Sequence, residues 1–198
     1  MKFAIAFVAA LASLATLNNA QETVGDVTCT SATFQLSLDP GLTQTAQDTD
    51  VEFIGMSSSC TLSGSSSDSA TAKYGTTVTI DGKSSGSCGS GSASGDAKST
   101  GFSSFSGTAN IEVQELVDGI PKGEPLIIFN GPVNGKLTTG GIELESKIEE
   151  GKGKGKIIRI RSKGTSEDEK KKEEKDCKST DGYDWIEGNL DTISITDK

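Results

Sequence analysis

In the run TFQLSL, Phe34, Leu36 and Leu38 alternate with Gln35 and Ser37. Residues two apart share one face of an extended strand, so this alternation describes a ribbon with one apolar side and one wet side. The same period recurs in DVEFIGMSSSCTLSG (50–64), ATAKYGTTVTIDGK (70–83), FSGTANIEVQELV (105–117), GIELESKI and KIIRIRSK. Beyond residue 20 no apolar stripe follows the 3.6-residue helical period, which argues against a helix bundle. PLIIFNG and GKLTTG extend the series, and Leu190, Ile193 and Ile195 in DWIEGNLDTISITD suggest a closing strand. Turn chemistry separates the runs: DPGL at 39–42 ends the first strand, Asp81-Gly82 the third, and DG with IPKGEP follows residue 117. GSCGSGSASGDAKST is low in side-chain bulk and fits a weak edge strand or a loop. About 8–10 short strands at such spacing predict an all-β, disulfide-stapled antiparallel β-sandwich, with a β-barrel as the alternative.

The opening MKFAIAFVAALASLATLNNA has a basic start, an apolar run and a small-residue close. It predicts a secretory signal peptide over 1–20, cut near Ala20. The run Phe3–Leu17 falls short of the roughly 20 residues a spanning helix needs, and no later stretch reads as a span or a lipid anchor. Residues 21–198 are therefore expected to form a single β-rich domain, secreted and extracellular, without stable membrane insertion. Within it KGTSEDEKKKEEKDCKST (163–180) is a charged excursion with no apolar face. A short helix with i,i+4 Glu–Lys pairs and a disordered segment both fit it.

One cysteine, Cys177, sits inside that charged run. With Cys29, Cys60 and Cys88 it makes four, an even number in an oxidising compartment, so two disulfides are expected. Three connectivities are open. Cys29–Cys60 with Cys88–Cys177 is favoured, because the first pair brackets a compact hairpin-like unit and the second tethers the charged excursion. The chain has no CxxC and no histidine, which disfavours a zinc site, and no cofactor is expected.

Without histidine, no Ser-His-Asp or Cys-His nucleophile can be assembled. Glu143 and Glu145 lie two apart on one strand face, the arrangement closest to a carboxylate-pair hydrolase, though a solvated strand face explains them as well. Gly82-Lys83-Ser84 matches the end of a phosphate-binding loop, but Thr77 stands where the first glycine belongs. DTD (48–50) and DGYDWIEGNLD (181–191) offer oxygen ligands without the spacing of an EF-hand loop. No catalytic and no metal site is assigned. KGKGKIIRIRSK (152–163) is the sharpest local signal: Lys152, Lys154, Lys156, Arg159, Arg161 and Lys163 with no acid among them. On a strand they form a candidate polyanion-binding ridge, or an edge whose lysines block aggregation. Tyr183 and Trp185 are candidates for glycan stacking, but the favoured reading of Trp185, the lone tryptophan, is a core plug seating the last strand. Nucleic acid is not expected as a partner, because aromatics do not interleave the basic residues.

CTSATFQLSLDPGLTQTAQD followed by Cys60, and later GEPLIIFNGPVNGKLTTGGIELESKI, resemble a group of small secreted β-rich proteins common in actinobacteria. The shared features are a first-strand Cys before an aromatic, the turn Pro40-Gly41-Leu42-Thr43, and Gly123, Leu126–Phe129, Gly131, Val133 and Gly135 in a late strand pair. The likeness spans residues 27 to 148. This chain lacks that group's mid-domain Trp-Ser-x-Gly hairpin and adds the lysine-rich tail. The resemblance implies a β fold and supplies no catalytic residue. The expected function is a secreted, non-catalytic interaction protein of effector or cell-surface-binding type, meeting an extracellular protein or a surface glycan. A glycan- or polyanion-binding module is the alternative.

Overall fold

The computed structural model describes residues 25–63, 73–87, 104–138, 141–149, 153–163 and 167–197. In chain order these form β1 (Val27–Thr30), β2 (Ala32–Leu42), β3 (Gln47–Leu62), β4 (Lys73–Gly86), β5 (Ser104–Val117), β6 (Ile120–Thr138), β7 (Gly141–Lys147), β8 (Ile157–Ser162), helix α1 (Glu167–Cys177) and β9 (Tyr183–Thr196). From β2 onward each strand pairs antiparallel with the next strand in the chain. The last strand, β9, returns to pair with both β1 and β2. β1 and β2 both lie between β3 and β9, and Ser31, with φ 54°, separates them. The pairings therefore trace one antiparallel sheet closed on itself. The all-β, antiparallel, disulfide-containing expectation holds.

Alternation along the strands sorts the side chains. Phe34, Leu36, Leu38, Phe53, Val78, Ile80, Phe105, Ile111, Leu137, Leu144, Ile158 and Ile193 all point inward and are buried. With β1 and β2 sharing one place, the nine strands make a ring of eight, whose interior is about wide enough for side chains to fill. The Phe34 and Phe53 rings stack inside it with centroids 5.7 Å apart. Close packing also depends on two glycines facing each other: Gly82 is the register partner of Gly107. A Cβ on Gly107 would lie 2.3 Å from the Asp81 carbonyl oxygen, so β4 and β5 can approach there only without side chains.

That approach corrects one sequence reading. Asp81-Gly82 does not turn the chain; β4 runs straight through it to Gly86, because the glycine serves strand contact. DPGL does not end the first strand either. β2 continues to Leu42 through a cis Asp39-Pro40 bond, and its register with β9 shifts between Ser37 and Leu42, an irregularity of the kind that accommodates proline in a sheet. IPKGEP is strand as well, the start of the long β6. The turn is Asp118-Gly119, both at positive φ as a two-residue hairpin of type I′ requires.

Helix α1 settles the form of the charged excursion, of which residues 164–166 lie outside the described residues. The Cys29–Cys60 disulfide is present and joins direct register partners of β1 and β3. Cys177, at the end of α1, is buried and disulfide-bonded; its expected partner Cys88 lies outside the described residues, as does the expected signal peptide. Among the described residues no helix is long and apolar enough to cross a membrane.

Candidate functional site

The basic ridge is folded into ion pairs. β7 and β8 pair in a register that sets Glu143 opposite Arg161 and Glu145 opposite Arg159. Arg159 Nε donates to Glu145 Oε2 at 3.0 Å, and Arg161 Nη2 donates to Glu143 Oε1. The hydrogen bond to Glu143, with its charge, holds the Arg161 guanidinium above its ordinary pKa. One register thus ties the candidate carboxylate pair to two of the six candidate cations. Lys156 turns inward, its side chain 8% exposed, and its ammonium donates to Asp26 at 2.5 Å and contacts Asp197 at 3.2 Å. Lys154 and Lys163 stay exposed, and Lys152 lies outside the described residues.

The Lys156 cluster fastens both ends of the described chain, because Asp26 also accepts the Asp197 backbone N–H at 3.1 Å. Burial works against the ammonium charge, but hydrogen bonds to Asp26 and Asp197 outweigh it and raise the Lys156 pKa. The Lys156 hydrogen bond, then the Asp197 N–H, lower that of Asp26. The depressed carboxyl contributes stability above its unfolded pKa of about 4, lost as pH falls through the lower folded value. The raised ammonium contributes below about pH 10.4 and loses it as pH rises through the folded value. The latch is therefore whole across neutral pH. Asp26→Asn should lower the urea-unfolding free energy at pH 7 by about 1.5–3 kcal/mol, the range for hydrogen bonds to a charged group. Asp197→Asn should cost less, since that carboxylate is 79% exposed.

Tyr183 and Trp185 separate rather than forming a pair. Tyr183 is buried, whereas Trp185 is 45% exposed, so the core-plug expectation for Trp185 is overturned. The cause is parity. Asp184 and Trp185 are consecutive outward residues between inward Tyr183 and Ile186, beside the point where β2 and β9 shift register. Tyr183 takes the core place and the indole goes to the outer wall.

Across the strands from Trp185 runs a row of outward side chains. Trp185 pairs with Ser37, Ser37 with Glu52, and Glu52 with Asp81. One step along lies a second row, Asp39, Asp50 and Lys83. Between them is an open groove of about 530 Å³ lined by Ser37, Asp39, Asp50, Glu52, Asp81 and Lys83. Lys83 contacts Asp50 at 3.1 Å. Asp39, Glu52 and Asp81 have no ion-pair partner among the described residues, so the groove is net acidic. Lys83 and Asp50, from the phosphate-loop and calcium candidates, are wall residues on β4 and β3. Among the described residues no cluster of three or more acids or cysteines is placed to hold a metal ion.

Sequence reasoning missed this groove because it assigned DPGL and Asp81-Gly82 to turns, which removed Asp39 and Asp81 from any wall. Continuing the period-two pattern through both would have aligned them. A second groove of about 300 Å³ lies at the β5–β6 hairpin end, with Met56, Leu116 and Pro121 among its lining residues. Ile120 and Val117 are exposed on the hairpin tip nearby. Comparison of the chain with protein-family models, curated proteins and solved structures gives no match.

Proposed function

We propose that the protein is a secreted, extracellular binding protein without catalytic activity, and that it meets its target through the outer wall around Trp185. The carrying observation is the placement of the lone tryptophan: outward, on a strand wall of small and acidic residues, beside an open groove. A flat indole on a rigid strand supplies large contact area with little conformational entropy to lose. The disulfide suits an oxidising compartment. Glu143 and Glu145, engaged by arginines, fit a wall better than an acid–base pair. The closed sheet offers no unpaired strand edge among its described pairings, so recognition falls to side chains rather than to strand addition. Polyanion binding is the weaker reading, since Lys156, Arg159 and Arg161 are already paired.

The test is retention of the mature, oxidised protein on intact microbial and host cell surfaces. Wild type should be retained, and Trp185→Ala should bind at least tenfold more weakly, about 1.4 kcal/mol. Equal retention of the variant on every surface that holds the wild type would remove Trp185 from the site and the proposal with it.

A further inference from the structure

We infer that β1 is an exchangeable arm, hinged at Ser31, that takes the same place in a second copy of this chain. The Cys29–Cys60 disulfide then locks it into whichever copy it has entered. This concerns assembly and stands apart from the binding role proposed above. The four residues of β1 lie between β3 and β9. Their partners come from far along the chain: Cys29 bonds Cys60, and Val27 faces Leu62 and Ile195. Asp26, just before the arm, meets Lys156 and the Asp197 N–H, and its carbonyl accepts the Ser63 N–H at 2.8 Å. An identical arm from another molecule meets the same partners in the same way, which makes exchange a low-cost route to a dimer.

The hinge is where the closed form is under strain. Registers run through it without a break: Thr30 and Thr33 pair with Ser59 and Met56, and Cys29 and Ala32 with Ile193 and Leu190. Yet the buried positions change parity, from Val27 and Cys29 to Ala32, Phe34 and Leu36. An extended Ser31 would turn the apolar side of β1 to the outer wall. Ser31 prevents that with φ 54°, in the left-handed region that residues carrying a Cβ rarely enter. The closed molecule thus needs an unfavourable backbone at the single residue joining β1 to β2, and short strained hinges favour exchange. An arm seated in a second copy releases its own Ser31 from that requirement. Oxidation then fixes the arm, because the cysteines are register partners and the Cys29 lying opposite Cys60 is the one that bonds. Two thiols become one disulfide, and glutathione disulfide takes up the two electrons and two protons as two glutathione thiols.

The experiment mixes mature protein labelled with heavy nitrogen and unlabelled protein in equal parts, both reduced and unfolded. The mixture is refolded over a range of concentrations and oxidised with glutathione disulfide. A covalent dimer should form, with a share that rises with concentration, and its peptides should show Cys29 of one label joined to Cys60 of the other by mass spectrometry. Ser31→Gly takes φ 54° without strain and should lower the ratio of dimer to monomer about tenfold; Ser31→Pro cannot take it and should raise the ratio by about as much. Folded Cys29→Ala and Cys60→Ala variants, mixed under glutathione disulfide, should give a heterodimer joined Cys29 to Cys60, and neither alone should give a homodimer through those cysteines. The wild-type measurement decides even where a single-cysteine variant does not fold. Absence of any Cys29–Cys60 link between labels at every concentration would overturn the inference. Dimers indifferent to both Ser31 substitutions would overturn the hinge, and homodimers as abundant as the heterodimer would show random thiol encounter in place of exchange.

Discussion

Replacing Cys29 and Cys60 together by alanine is expected to lower the unfolding free energy by about 3.5 kcal/mol. The bond closes a sequence separation of 31 residues. For a loop of that size the chain-entropy relation gives about 3.5–4 kcal/mol at 25 °C. Both cysteines are buried, and they bridge β1 to β3 where β1 also pairs with β9. Loss of the bond frees the four-residue β1 at the seam of the ring, so the effect should concentrate there. Urea unfolding of the double variant, against wild type with and without reductant, reads the total. Hydrogen exchange at Val27–Thr30 reads the location. Midpoints identical to wild type would mean that the unfolded chain is already compact enough for the cross-link to add nothing.

A loss of similar size is expected from Phe53→Ala. Phe53 is fully buried at the middle of β3 and stacks on Phe34. Truncating a buried phenylalanine typically costs about 3–5 kcal/mol, through lost transfer energy and the cavity left behind. The rigid wall limits collapse, because each inward residue is fixed by paired strands on both sides. The upper part of the range is therefore expected, read as a fall in the denaturant midpoint at unchanged slope. A loss under about 1 kcal/mol would show that the interior can close over the gap.

Both sites are legible in the sequence. The alternation in TFQLSL and DVEFIG marks Phe34 and Phe53 as inward, and period two carries that information locally. Cys29–Cys60 was favoured from spacing, and the strands put the two residues opposite one another. What stayed hidden needs partners distant in sequence. Gly82 reads as a turn residue until Gly107 is placed against it. Lys156 reads as one more cation in a basic run until Asp26 and Asp197 arrive from positions far apart in the sequence. Glu143 and Arg161 look like separate candidate sites, yet they are one ion pair made by register. Trp185 is the sharpest case: alternation from the inward Ile186 puts the indole on the outer wall, and the irregularity at Asp184 brings Tyr183 inward in its place.

The meeting of β9 with β1 and β2 has a consequence for how such a molecule comes into being. Val27 lies opposite Ile195, so β1 waits for residues far along the chain to be synthesised before its second neighbour exists. Until then the growing chain is an open ribbon with two sticky margins, prone to join other ribbons. Closure is a late and slow event, since the contact joins Val27 to Ile195, the first and last strands of the described sheet. A chain shortened by only its final strand would remain such a ribbon permanently.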